Sequence, residues 1–171
     1  MVNEAYDSLE TVISSMMYAM QGNDDFLKLM TNDKRNALDI TPLKNYEDLI
    51  GNRIFPMETL STPQTEQKSI VAVEHLNTRK STGGSDAIYS VTFTVDVYCH
   101  IDMWLLNGGK IRPLRLKTIV INSILGLDIP SLNSKANFVS DDKMYYDQQY
   151  NFKGYRLTFS WESTSGWLGN V

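Results

Sequence analysis

Residues 89–101 alternate apolar and polar side chains without a break. Tyr89, Val91, Phe93, Val95, Val97, Cys99 and Ile101 hold the odd positions, and Ser90, Thr92, Thr94, Asp96, Tyr98 and His100 the even ones. Successive side chains of a strand point to opposite faces, so this unbroken period of two specifies one long strand with its odd face buried. A slip of one residue would turn the whole apolar set to solvent, so the register is strongly fixed. Residues 69–79, with Ile70 and Ala72, supply an antiparallel partner through a hairpin loop at 81–86 that contains Gly83 and Gly84.

A strand with one apolar face needs something to cover it, and the flanking sequence provides helices. Ala5, Tyr6, Leu9, Val12, Ile13, Met16, Met17 and Met20 recur at the three-to-four spacing of a helix with one buried side. Asn3 is a candidate N-cap, Gly22 marks the stop, and methionines at this spacing act as adaptable core filler. Residues 26–30 add a short helical turn, 31–44 are polar and turn-rich, and 46–50 suggest one more turn of helix. Residues 53–57 form a short extended piece in which Pro56 forbids a central ladder position. A second long helix is expected from near Arg112, where Pro113 suits the first turn, to about Leu125, closed by Gly126 and Pro130. Leu116, Ile119, Val120 and Ile124 line its inner side. Two further strands are expected near 137–146 and at 155–161. Helix, hairpin, helix and two strands predict an α+β fold: an antiparallel β-sheet with a long β-hairpin and helices packed on one face.

The 171 residues fit a single domain. It divides into a helical N-terminal region (1–60), a sheet-plus-helix core (69–162) and a tail (163–171). Cys99 is the one cysteine, so no intramolecular disulfide can form. No apolar stretch approaches the ~20 residues of a membrane helix. Glu4, Asp7 and Glu10 stand where a basic leader region would be, so no membrane association and a cytoplasmic site of assembly are expected. The net charge of −4 argues against phosphate neutralisation as the main activity. Lys110, Arg112, Arg115 and Lys117 form the densest basic run, and it reads as a solvated helix start with a few surface charges.

Few residues suggest chemistry. Asp96, His100 and the nearby Asp102 would place an imidazole between two carboxylates, the makings of a metal site or an acid–base pair. His75 is the only other histidine, and no further ligand stands at a telling spacing, so neither metal nor catalysis is expected there. Cys99 falls on the apolar side of its strand, where a thiol is buried and inert. Neither glycine pair, Gly83-Gly84 or Gly108-Gly109, matches a phosphate-cradling loop, and the alternation of the last strand assigns its aromatic residues to the core. The sequence thus predicts a protein that is not an enzyme and has no cofactor, metal or catalytic residue.

Four strings, in this order, resemble the neck and tail-terminator proteins of tailed bacteriophages: IGNRIFP at 50–56, FTVDVYCHIDMW at 93–104, GKIRPLR at 109–115 and FKGY at 152–155. Together they span about two-thirds of the chain, and the resemblance lies in their order after the N-terminal helix. The resemblance implies a structural virion protein at the head–tail junction: a subunit of a homo-oligomeric ring, hexameric or dodecameric, that stops tail-tube growth and joins the tail to the head connector. Its partners would be further copies of itself, the tail-tube protein and the connector or neck proteins, with DNA passing through the channel unread. The region 6–60 is longer than in the smallest tail terminators. This leaves open a head-completion role on the portal side, and a small non-viral adaptor with the same architecture is a further alternative. Contacts with neighbours are expected at the hairpin tip (Ser81, Thr82, Gly83, Gly84), on the outer strand face (Thr92, Thr94, Tyr98), at Trp104 and in the tail, where Trp167 and Leu168 either dock on a partner or fold back.

Overall fold

The computed structural model describes residues 2–42, 47–56, 67–80, 88–129, 132, 134–146 and 151–164. Helices α1 (Val2–Gln21) and α2 (Asp24–Thr31) come first, then the two-residue strand β1 (Ile54–Phe55). The hairpin strands β2 (Ser69–Lys80) and β3 (Ile88–His100) follow, then helix α3 (Arg112–Ile124) and strands β4 (Asn137–Tyr146) and β5 (Phe152–Thr164). The sheet order is β1-β2-β3-β5-β4, antiparallel except for the parallel contact of β1 with β2. This is the expected α+β architecture.

The alternation in β3 carries the core. Val91, Phe93, Val95, Val97 and Cys99 have no solvent exposure and pack with Val12, Met16 and Met20 of α1 and with Leu116, Val120 and Ile124 of α3. Val95 pairs with Val73 and Leu157, and Phe93 with His75 and Phe159, so apolar rows run straight across three strands. The Phe93 ring meets Trp161 edge-to-face at 5.6 Å.

The ends of the elements depart from expectation. α1 starts at Val2, so Asn3 lies inside the helix, past the cap position. Asn23 does cap α2, its side-chain oxygen accepting from the Phe26 amide at 3.1 Å. β3 stops at His100, and Ile101 opens a 3-10 turn, Ile101–Met103, where it is exposed instead of completing the buried odd face. β5 begins at Phe152, three residues before the expected start, because it pairs with β3 along the strand's whole length.

That early start depends on Gly154. A Cβ built there would lie 1.7 Å from the Val97 carbonyl oxygen, so any side chain would push β5 off β3. Tyr98, paired with Gly154, is fully buried and forms a second small cluster with Ile70 and Phe152, with Phe55 of β1 packed against it. This cluster lies on the sheet face away from the helices. The even face of β3 is therefore not the solvated surface that its polar sequence suggested, since Thr94 and Asp96 are buried as well.

Two substitutions probe this arrangement. Gly154→Ala should destabilise by at least about 1–3 kcal/mol through the forced strand displacement, read as a lower urea midpoint. Thr94→Val should be neutral or stabilising, by up to about 1 kcal/mol, because the buried Thr94 hydroxyl has no hydrogen-bond partner among the described residues. A marked loss of stability in the valine variant would show that the hydroxyl is bonded in solution.

Candidate functional site

The residues expected to meet neighbours do not form one patch. Thr92 is half-buried on β3, while Thr94 and Tyr98 are enclosed by their own subunit. Trp104 follows the 3-10 turn, half-buried, its indole N–H donating to the Cys99 carbonyl at 3.2 Å. Ser81, Thr82, Gly83, Gly84, Trp167 and Leu168 lie outside the described residues. Among the described candidates, then, only Thr92 and Trp104 keep exposed surface.

The carboxylates and imidazole at the end of β3 are engaged elsewhere. Arg156 on β5 holds Asp96 through two charge-assisted hydrogen bonds, Nε to Oδ1 at 2.7 Å and Nη2 to Oδ2 at 2.6 Å. The Tyr98 hydroxyl donates to the same carboxylate at 3.1 Å. Asp102 lies beside His100, 3.5 Å from Oδ2 to Nδ1, and its carboxylate also accepts from Gln67 at 2.9 Å. Asp96 therefore faces a guanidinium and not the imidazole. Among the described residues no three His, Cys, Asp or Glu side chains converge in a way that could hold a metal ion.

The most demanding polar group is one the sequence placed on the surface. Arg112 opens α3 and has 0% exposure. Its guanidinium donates to four backbone carbonyls: Nε to Met103 at 3.0 Å, Nη1 to Leu29 and to Asn32 at 2.8 Å each, and Nη2 to Lys34 at 2.7 Å. Leu29 and Asn32 belong to the C-terminal end of α2, whose unsatisfied carbonyls and partial negative charge favour a cation. Next to it, Arg53 grips Asp33 with two bonds of 2.7 and 2.8 Å, and the Arg53 carbonyl accepts from the Val71 amide. One signal for Arg112 was available in the sequence: a cation in the first turn of a helix opposes that helix's own dipole, so it must be needed by something else.

Two groups set a pH window for the fold. Burial pushes the Cys99 thiol up from 9.0 to about 12, against the weaker opposing pulls of the Ser69 hydroxyl and Arg112. Burial also lowers His75 from 6.5, partly countered by a backbone hydrogen bond at Asn77. The raised thiol contributes stability that is complete below 9.0 and is lost as the pH climbs toward about 12. The lowered imidazole contributes stability that is complete above 6.5 and is lost as the pH falls through its folded value.

Stability should therefore be greatest between these limits, and His75→Gln should flatten the acid side of a stability–pH curve without touching the alkaline side. Cys99 should resist maleimide at pH 8 in the folded protein and react at once in urea. Arg112→Lys should cost about 3–5 kcal/mol in urea unfolding, since an ammonium cannot span four carbonyls fixed for a planar fork. A loss below about 1 kcal/mol would show that water replaces the clamp.

No helix among the described residues is long and apolar enough to cross a membrane. No curated protein matches the chain. Residues 23–161 match the YomW family, a span that runs from the cap of α2 to Trp161 in β5 and takes in the contacts of Arg53, Arg112 and Arg156. The chain belongs to the YomW family, which is phage-derived.

Proposed function

We propose that the chain is a structural, ring-forming subunit at the phage head–tail junction, a tail terminator or tail-completion protein that stops tail-tube growth and joins the tail to the head connector. The observation that carries this reading is the one-sided packing of the sheet. The core cluster gathers α1, α2 and α3 against a single face, and the strand order sets β2 and β4 near opposite margins of the sheet, where neighbours in a ring would meet it. The phage-derived family supplies the setting, and the four strings resembling neck proteins supply the position within it. The polar groups support a structural role: Arg112, Arg53, Asp33, Asp96 and Arg156 are all bound to other parts of the chain. The reading needs no cofactor and no catalytic group. A subunit of net charge −4 is also compatible with a channel in which DNA slides without adhering.

The test is to delete the encoding gene from its phage and inspect lysates by electron microscopy. Tails of uncontrolled length beside unjoined heads are the expected result, reversed by supplying the protein in trans. Tails of normal length beside unjoined heads would move the subunit to the portal side, as a head-completion neck protein. Normal, joined particles would overturn the proposal.

A further inference from the structure

We propose that the two edges of the sheet pair with each other between copies of this chain. Residues 77–80 of β2 in one subunit would lie antiparallel to residues 141–144 of β4 in the next, with Arg79 opposite Asp142 and Lys80 opposite Asp141. The inference rests on the ring reading and gives it a specific interface.

Strand order supplies the geometry. β2, β3, β5 and β4 are each antiparallel to the next, so the two margins of this four-stranded block run in opposite directions. A neighbour in the same orientation therefore brings its β4 antiparallel to β2, which continues the antiparallel ladder of this block. Among the described residues, β1 covers β2 only at Val71 and Ala72, and no strand pairs with β4 on its outer side.

Bulges delimit the segments. The register of β2 shifts between His75 and Asn77, leaving Leu76 48% exposed; that of β4 shifts between Phe138 and Ser140, leaving Val139 57% exposed. Bulges disrupt the ladder locally and protect edges against arbitrary pairing. The regular runs beyond them are 77–80 and 140–146.

Faces and charges then select the register. Arg79 pairs within its own sheet with Ser90, and Asp142 with Arg156, so both lie on the face away from the helices. Lys80 pairs with Tyr89 and Asp141 with Leu157, so both lie on the helix face. The proposed register thus joins unlike charges on matching faces in two successive pairs, with Asp141 already ion-paired to Lys117. Self-pairing is poorer: β2 against β2 brings Arg79 and Lys80 together, and β4 against β4, even in the register that sets Asp141 opposite Lys143, brings Asp142 against Asp142. Like charges facing each other disfavour a two-fold dimer and leave the head-to-tail contact from which rings are built.

The test uses the full chain carrying Arg79→Glu or Asp142→Lys. Sedimentation should give an assembled mass for the unaltered protein and a single-subunit mass for each variant, with unchanged melting. An equimolar mixture of the variants should reassemble, because one junction is then native and the other has both signs exchanged. Hydrogen exchange on the unaltered protein covers the case in which a variant folds poorly: amides of 77–80 and 141–144 should slow at least about tenfold on assembly. Variants that assemble normally, or edge amides that do not slow in the assembled protein, would overturn the edge pairing and leave the ring reading standing. A single-subunit mass for the unaltered protein at every concentration would overturn both.

Discussion

The structure depends on the burial of Arg112. A guanidinium taken out of water costs several kcal/mol unless its donors are met, and here backbone carbonyls meet four of them in place of the more usual carboxylate. The arrangement serves both sides. Leu29 and Asn32 sit at the end of α2, where helical carbonyls lack intrahelical donors, and Met103 closes the 3-10 turn after β3. One side chain at the start of α3 thereby fixes the end of α2, the exit of β3 and the segment around Lys34 at bonding distance. The Arg53–Asp33 pair extends the same frame to β1, whose backbone starts the ladder with β2 at Val71.

The sheet meets this frame on one face only, and its two faces differ in kind. The helix face is a continuous apolar core from Val91 to Cys99. The opposite face has two parts. Ile70, Tyr98 and Phe152 form a small apolar cluster over the close approach at Gly154, and next to it Asp96 and Arg156 neutralise each other. Flanking side chains enclose Thr94, Asp96 and Tyr98 of β3, although among the described residues no helix packs over them. A central strand is shielded by its neighbours on both sides, whereas an edge strand is not.

This shielding explains which parts of the structure the sequence disclosed. Period alone located β3 and its register, the apolar stripes located α1 and α3, and Gly126 with a positive φ ends α3 where expected. Alternation reports which residues share a face, but not whether the second face is solvated. Thr94 and Tyr98 therefore read as contact residues and are interior ones. Arg112 was misread for a related reason. Its neighbours differ, Lys110 being an exposed charge and Arg115 a half-buried partner of Asp25, yet composition treats the three alike, and three of the four carbonyls that need Arg112 lie about eighty residues earlier in the chain. The strings that suggested a phage neck protein hold Arg53, Trp104, Arg112 and Gly154, each of which makes a framework contact. The resemblance is therefore carried by the scaffold, and the contact surfaces have to be read from edges and charges.

The two sets of charges also answer to solvent differently. Arg112 is neutralised by fixed peptide dipoles inside the protein, and Asp96 lies buried under Arg156, so neither interaction is much screened by salt. Arg79, Lys80 and Asp142 are exposed at the margins, where mobile ions reach them and the Debye length is about 8 Å at physiological ionic strength. A ring closed through such margins would loosen in high salt while its subunits stayed folded. In such a ring, moderate salt would act on association and leave the interior alone. If the proposed ring forms, its subunit would fold first, held by dipoles and apolar packing, and assemble afterwards through contacts that remain adjustable until closure.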